Sequence, residues 1–132
     1  MKGVVLSSER YEITVRAEFC ASHALCLPDG SMEPLHGHNW PVEVCVGSTG
    51  LDQMQAVMDF HVLQDGLSEI LKPWQNSHLN DLEPFSDGSI NPTAERVAWW
   101  IGAEVAKRLP AGVNLLWVRV GEATGCSAVY RP

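Results

Sequence analysis

The stretch HGHNWPVEVCV, residues 36–46, places His36, His38, Trp40, Val42, Val44 and Val46 on its even positions, with small or polar residues between most of them. Alternation of period two marks a strand with one buried face, so both histidines share that face with the apolar residues. Pro41 lacks a ladder donor, which assigns the stretch to a sheet edge or a bulge. Upstream, Tyr11, Ile13, Val15, Ala17, Phe19, Ala21 and His23 alternate in the same way with Glu12, Thr14, Arg16, Glu18 and Cys20. Joined as an antiparallel pair through the loop after His23, the two strands bring the end of the first beside the start of the second. His23, His36 and His38 then meet at one end of one face.

Two helices and two further strands follow. Residues 59–72 carry Phe60, Leu63, Leu67, Ile70 and Leu71 at helical spacing and stop at Pro73. Asn91-Pro92-Thr93 reads as an N-cap residue followed by a first-turn proline, opening a helix that buries Val97, Ile101, Val105 and Leu109. Residues 114–122 and 126–131 read as a terminal hairpin. The order ββααββ predicts an α+β sheet with its helices on one face.

At 132 residues the chain fits one domain, residues 1–132, with a core of its own. Nine Lys and Arg stand against sixteen Asp and Glu, mostly as isolated residues, which excludes a nucleic-acid footprint and weighs against a polyphosphate substrate. The four cysteines form no CxxC pair and no short disulfide pattern, which points to a reduced, cytoplasmic chain. The opening MKGVVLSSERYE holds too few consecutive apolar residues for a leader core or a membrane span, so a soluble protein is expected. Five tryptophans, two adjacent at Trp99 and Trp100, are too many for one core face and suggest that at least one meets a neighbour or rims a pocket.

Catalytic zinc takes three protein ligands and leaves a fourth position for water or substrate, and neutral imidazole is the commonest metal ligand. His23, His36 and His38 supply that count. A single histidine on an apolar face is more often a satisfied core residue, but three converging on one point favour a metal. Glu33, three residues before His36, is either an acid or base for that metal or a solvated loop carboxylate beside Pro34.

The combination FCASHALCLPDG, LHGHNW, VMDF, HLND, NPTAERVA and a late Glu122 resembles the 6-pyruvoyltetrahydropterin synthase and 6-carboxytetrahydropterin synthase family, over about residues 19–130. The resemblance implies the tunnelling fold: a four-stranded antiparallel sheet with two helices on one face, closed into a barrel by oligomerisation, as a hexamer or another trimer-based assembly with active sites between subunits. It further implies zinc on His23, His36 and His38, a pterin ring anchored by Glu122, and a pocket shaped near Thr93 and Glu95.

Two departures bear on the chemistry. Met32 and Gly30 stand where the family's cysteine base belongs, and Glu33 resembles a subgroup in which glutamate replaces it and the side chain of dihydroneopterin is cleaved to 6-hydroxymethyl-dihydropterin, a folate precursor. Gln75 and Asn76 stand where the family carries an Asp-His relay; His78, or Asp81, is the candidate replacement. The expected activity is therefore a zinc-dependent lyase acting on dihydroneopterin or its triphosphate, with Glu33 and His78 as catalytic groups. The alternatives are a 6-carboxy- or 6-pyruvoyl-tetrahydropterin synthase of queuosine or tetrahydrobiopterin synthesis, a zinc and pterin-binding homologue without turnover, and a scaffold with a structural metal.

Overall fold

The computed structural model describes residues 10–132; the first nine, part of the segment read above as lacking a leader or span, lie outside them. Strands β1 (Tyr11–His23) and β2 (His36–Ser48) pair antiparallel in one unbroken register, from Tyr11 opposite Ser48 to His23 opposite His36. Their alternation settles which face is buried: Val15, Phe19, Ala21, Trp40, Val42, Val44 and Val46 all enter the core. A one-residue slip would turn every one of them outward, which is why the register is so strongly specified.

Helix α1 (Phe60–Leu71) is capped by Asp59, whose Oδ1 accepts from His61 N at 2.8 Å, and it buries Leu63, Leu67, Ile70 and Leu71. Phe60, expected on that apolar stripe, is more than half exposed at the helix start. After α1 comes a short strand, β3 (Ser77–His78), then helix α2 (Ala94–Ala106), β4 (Asn114–Ala123) and β5 (Cys126–Tyr130). Helix α1 lies against β1 and α2 against β4 and β5, the two helices also touching each other over a single core.

The sheet has five strands in the order β3-β1-β2-β4-β5 and is mixed, where four antiparallel strands were expected. The extra strand is two residues long and parallel to β1, pairing Ala21 with Ser77 and Ser22 with His78. Two residues carry no periodicity, so no sequence pattern announces it. What docks it is local: Gln75 Oε1 accepts from Cys20 N at 3.0 Å, and Asn76, with φ of 57°, donates its N–H to Cys20 O at 2.6 Å.

Strand β2 is interior, not an edge, yet it holds Pro41. The β2–β4 ladder ends at Val42 opposite Val120, so Pro41, which has no N–H, lies beyond it and leaves no carbonyl of that ladder without a donor. A bulge between Gly121 and Ala123 on β4 opens the space, and a Cβ at Gly121 would lie 2.8 Å from Pro41 Cγ. The bulge also sets the aim of Glu122.

Trp40 and Trp74 are buried, while Trp99, Trp100 and Trp117 are partly exposed and lie beneath Arg96, Lys107 and Arg119 at 4.8, 6.0 and 4.9 Å from their ring centroids. Among the described residues, no helix is long and apolar enough to cross a membrane.

Candidate metal centre

Because His23 pairs with His36 across the ladder and His38 lies two residues along the same face, the strand period alone brings three imidazoles together. Glu122 joins them from β4, and one donor atom from each of the four lies within 4.8 Å of the others. Glu122 Oε1 stands 3.1 Å from His23 Nε2, 3.3 Å from His38 Nε2 and 3.9 Å from His36 Nε2. Beneath them the Trp40 indole packs edge-on to His23 and His38 at 4.7 and 5.4 Å, its N–H donated to Ala21 O at 3.1 Å.

The ring tautomers follow from what surrounds the other nitrogens. His23 Nδ1 lies 2.8 Å from Pro92 O, and His36 Nδ1 lies 2.9 Å from Pro34 O. A carbonyl only accepts, so both Nδ1 atoms carry a hydrogen, and in the form that ligates a metal each ring presents a bare Nε2 to the centre. Those two Nε2 atoms are 3.1 Å apart, and facing lone pairs at that distance repel unless a positive charge lies between them. His38 Nε2 is buried with no hydrogen-bond partner, although Glu122 Oε1 stands 3.3 Å away. Burial pushes the His38 pKa below its ordinary value, with the neighbouring His23 and His36 adding to the effect and Glu122 opposing it. A buried ring nitrogen without a partner, facing the other donors, is what a transition metal or zinc uses, and the donor set fits zinc.

Glu33 stands on the far side of His36. Its Oε1 is 3.8 Å from His36 Nδ1 and accepts from Leu25 N at 2.9 Å, so the carboxylate adjoins the cluster without belonging to the four donors. That position counts against Glu33 as a fourth ligand. His78 is bound through Nδ1 to Ser22 Oγ at 3.0 Å; Ser22 and His23 are successive residues of one strand, so His78 faces away from the cluster. Thr93 caps α2, its Oγ1 accepting from Arg96 N at 3.1 Å, and Glu95 is exposed on the first turn. Asp81 is likewise exposed, ending a short 3₁₀ turn. Cys45, which burial and the neighbouring Glu12 push up to about 11, and Cys26, which pairs with Met32 in an isolated bridge, stand outside the four donors.

The loop after His23 is pinned at three successive residues. Asn80 accepts from Ala24 N at 2.9 Å and donates to Ala24 O at 2.8 Å; Glu33 holds Leu25 by its side chain and its own N–H; Asn91 accepts from Cys26 N at 2.8 Å and donates to Cys26 O at 3.0 Å. Asn91, expected to cap α2, is thus a loop clamp, and Thr93 takes the cap. Pro92, between them, fixes His23. Each carboxamide imitates the two-point pairing of a strand, a role that residue type alone does not reveal because the partner lies 56 or 65 positions away. Asn80→Ala leaves the N–H and C=O of buried Ala24 unpaired, and a loss of about 2 kcal/mol is expected in urea melts of the metal-free protein.

Glu122 also has a second exposure. Of the four donors it alone lines a concavity of about 1130 Å³ on the helix-free face, together with Asn39, Thr124 and Ser127. Arg16 and Arg119 line it too, but both hold Glu43, at 3.0 and 2.8 Å.

An α+β sheet presenting three histidines and a carboxylate defines a candidate metalloprotein, and comparison with known proteins narrows it. The family model for 6-pyruvoyl tetrahydropterin synthase matches residues 12–132, and the chain belongs to that family. It is 35% identical over 103 residues to the dihydroneopterin monophosphate aldolase of Pyrococcus furiosus, covering 78% of this chain and 82% of the relative. It is 27% identical over 120 residues to the 6-carboxy-5,6,7,8-tetrahydropterin synthase of Rickettsia felis, covering 76% and 84%. The fold matches the Caenorhabditis elegans 6-pyruvoyl tetrahydropterin synthase with a TM-score of 0.80 at 19% identity, over 97% of this chain and 99% of that one.

Proposed function

We propose that this chain is a zinc-dependent lyase that cleaves the side chain of dihydroneopterin or its monophosphate to 6-hydroxymethyl-dihydropterin. The observation that carries the reading is the carboxylate of Glu33 held beside His36, behind a three-histidine centre whose usual companion cysteine is replaced by Met32 or Gly30. Similarity to an aldolase named for dihydroneopterin monophosphate supports the same choice.

His23, His36 and His38 would hold a zinc ion, which would supply a Lewis acid able to lower the pKa of a side-chain hydroxyl. The protein's own groups do the rest. Glu122 accepts the N–H donors of the pterin ring, in a pocket shaped near Thr93 and Glu95. Glu33 takes the proton from the hydroxyl on the second side-chain carbon as the bond to the first carbon breaks. The second carbon leaves as an aldehyde, the electron pair passes into the ring, and the proton returned to the first carbon completes the hydroxymethyl group. In an assembled barrel His78, which faces away from the cluster of its own chain, would serve as a relay for a neighbouring subunit's centre.

Assembly into a barrel suits the sheet, whose β5 has a neighbour on one side only and whose β3 covers just Ala21 and Ser22 of β1. Four free cysteines suit a reducing cytoplasm. The Rickettsia felis relative favours a second reading, a 6-carboxytetrahydropterin synthase acting on the triphosphate. Against it stand the missing cysteine and the two guanidiniums already held by Glu43.

Stripping the protein with a chelator and reloading it with zinc tests metal dependence: release of a two-carbon aldehyde from dihydroneopterin monophosphate should vanish and return. Undiminished release from protein free of metal would refute it.

A further inference from the structure

Glu122 has two sets of partners within reach, and that carries a consequence for how the site opens. In a tetrahedral zinc site with bonds of 2.0–2.1 Å, donor atoms sit about 3.3 Å apart. Glu122 Oε1 lies at 3.1, 3.3 and 3.9 Å from the three Nε2 atoms, and the His23 and His36 nitrogens are 3.1 Å apart. Three of those four separations fall within a few tenths of an ångström of that spacing and the His36–Glu122 one is longer, which puts the carboxylate oxygen where a fourth donor would sit. A carboxylate approaching nitrogens that present lone pairs is repelled unless a cation sits among them, so the arrangement describes four ligands of one ion. The same side chain, 29% exposed, lines the concavity that the histidines do not reach.

We infer that Glu122 is the fourth ligand of the resting metal and leaves it when a pterin ring takes the carboxylate, so that ring binding opens the coordination position the side chain needs. The inference rests on the pterin reading above for the identity of the second partner, but the ligation itself does not. A ring presenting two N–H donors side by side takes both carboxylate oxygens, Oε1 among them, and Oε1 is the oxygen that faces the three Nε2 atoms. Metal and ring therefore compete for it, and the competition is reciprocal: whatever factor the ring takes from metal affinity, the metal takes from ring affinity. A substrate with side-chain hydroxyls escapes the penalty, because a hydroxyl can fill the corner that Glu122 vacates. Such a device keeps the ion closed to water and stray ligands until a molecule with both a pterin ring and a hydroxylated side chain is present.

The test uses the full-length protein loaded with cobalt(II), whose visible absorption reports coordination number, and a chromophoric chelator to measure metal affinity. Two probes are compared: unsubstituted pterin, which has the ring alone, and neopterin, which adds the hydroxylated side chain. Expected for the unaltered protein is a four-coordinate spectrum without ligand, a changed spectrum and weaker metal binding with pterin, and metal affinity restored with neopterin. Glu122→Gln and Glu122→Asp should each bind metal at least about tenfold more weakly, the scale on which even outer partners of a metal act. Their metal affinity should no longer respond to pterin, and their melting temperatures without metal should match the unaltered protein, separating ligation from folding.

Unchanged metal affinity and an unchanged cobalt spectrum in both variants would overturn the inference, even if lyase activity is found. Pterin binding that leaves the cobalt spectrum untouched would overturn the exchange. Weakened metal in the variants, with no binding of either probe, would uphold ligation and instead sink the pterin reading.

Discussion

Glu33→Gln is expected to lower kcat by about 10²- to 10⁴-fold, the usual worth of a positioned acid or base, while leaving metal content and melting temperature unchanged. The selectivity comes from geometry. A glutamine carbonyl can still accept from Leu25 N as Glu33 Oε1 does at 2.9 Å, so the loop clamp survives and only the ability to hold a proton is lost. Steady-state rates beside metal analysis of the same sample check this. A variant with full rate would remove Glu33 from the chemistry and return it to the role of a loop carboxylate. Loss of metal along with rate would make its function support of His36 from 3.8 Å rather than proton transfer.

His23→Ala should have the largest structural effect of any substitution at the centre. His23 is fully buried, its Nδ1 is held by Pro92 O at 2.8 Å, and its ring packs on Trp40. Truncation leaves a void under the sheet end and an unpaired carbonyl at Pro92, together costing about 2–4 kcal/mol. Two imidazoles and Glu122 then remain, with the buried member of the set gone, and metal content after dialysis should fall well below one per chain. His38→Ala is the control: its side chain is partly exposed, so metal should be lost with a smaller fall in melting temperature. Retention of stoichiometric metal in His23→Ala would contradict the three-histidine assignment.

Much of the centre could be read from the sequence because the strand period does the positioning. Alternation in residues 11–23 and 36–46 predicts a shared face, and the observed pairing of His23 with His36 is that prediction in register. Both helices end within a residue or a few of the expected bounds, because Asp59 and Pro73 punctuate the first and Thr93 the second. What escaped was decided by contacts distant in sequence. The interior place of Pro41 depends on where β4 lets go, β3 is too short to have a period, and Asn80 and Asn91 reveal their roles only once Ala24 and Cys26 lie beside them. Glu122 was reached through family resemblance, since a carboxylate near a strand end has no periodic signal of its own. The structure adds that a bulge next to Gly121 brings it against all three histidines.

The lyase activity is tested most directly by offering the zinc-loaded protein dihydroneopterin, its monophosphate and its triphosphate in separate reactions, and identifying the pterin product by mass spectrometry. Expected is 6-hydroxymethyl-dihydropterin from the first or the second, with the matching two-carbon aldehyde. A carboxy or pyruvoyl tetrahydropterin from the triphosphate, with no hydroxymethyl product from any substrate, would contradict it and leave Glu33 without its assigned step.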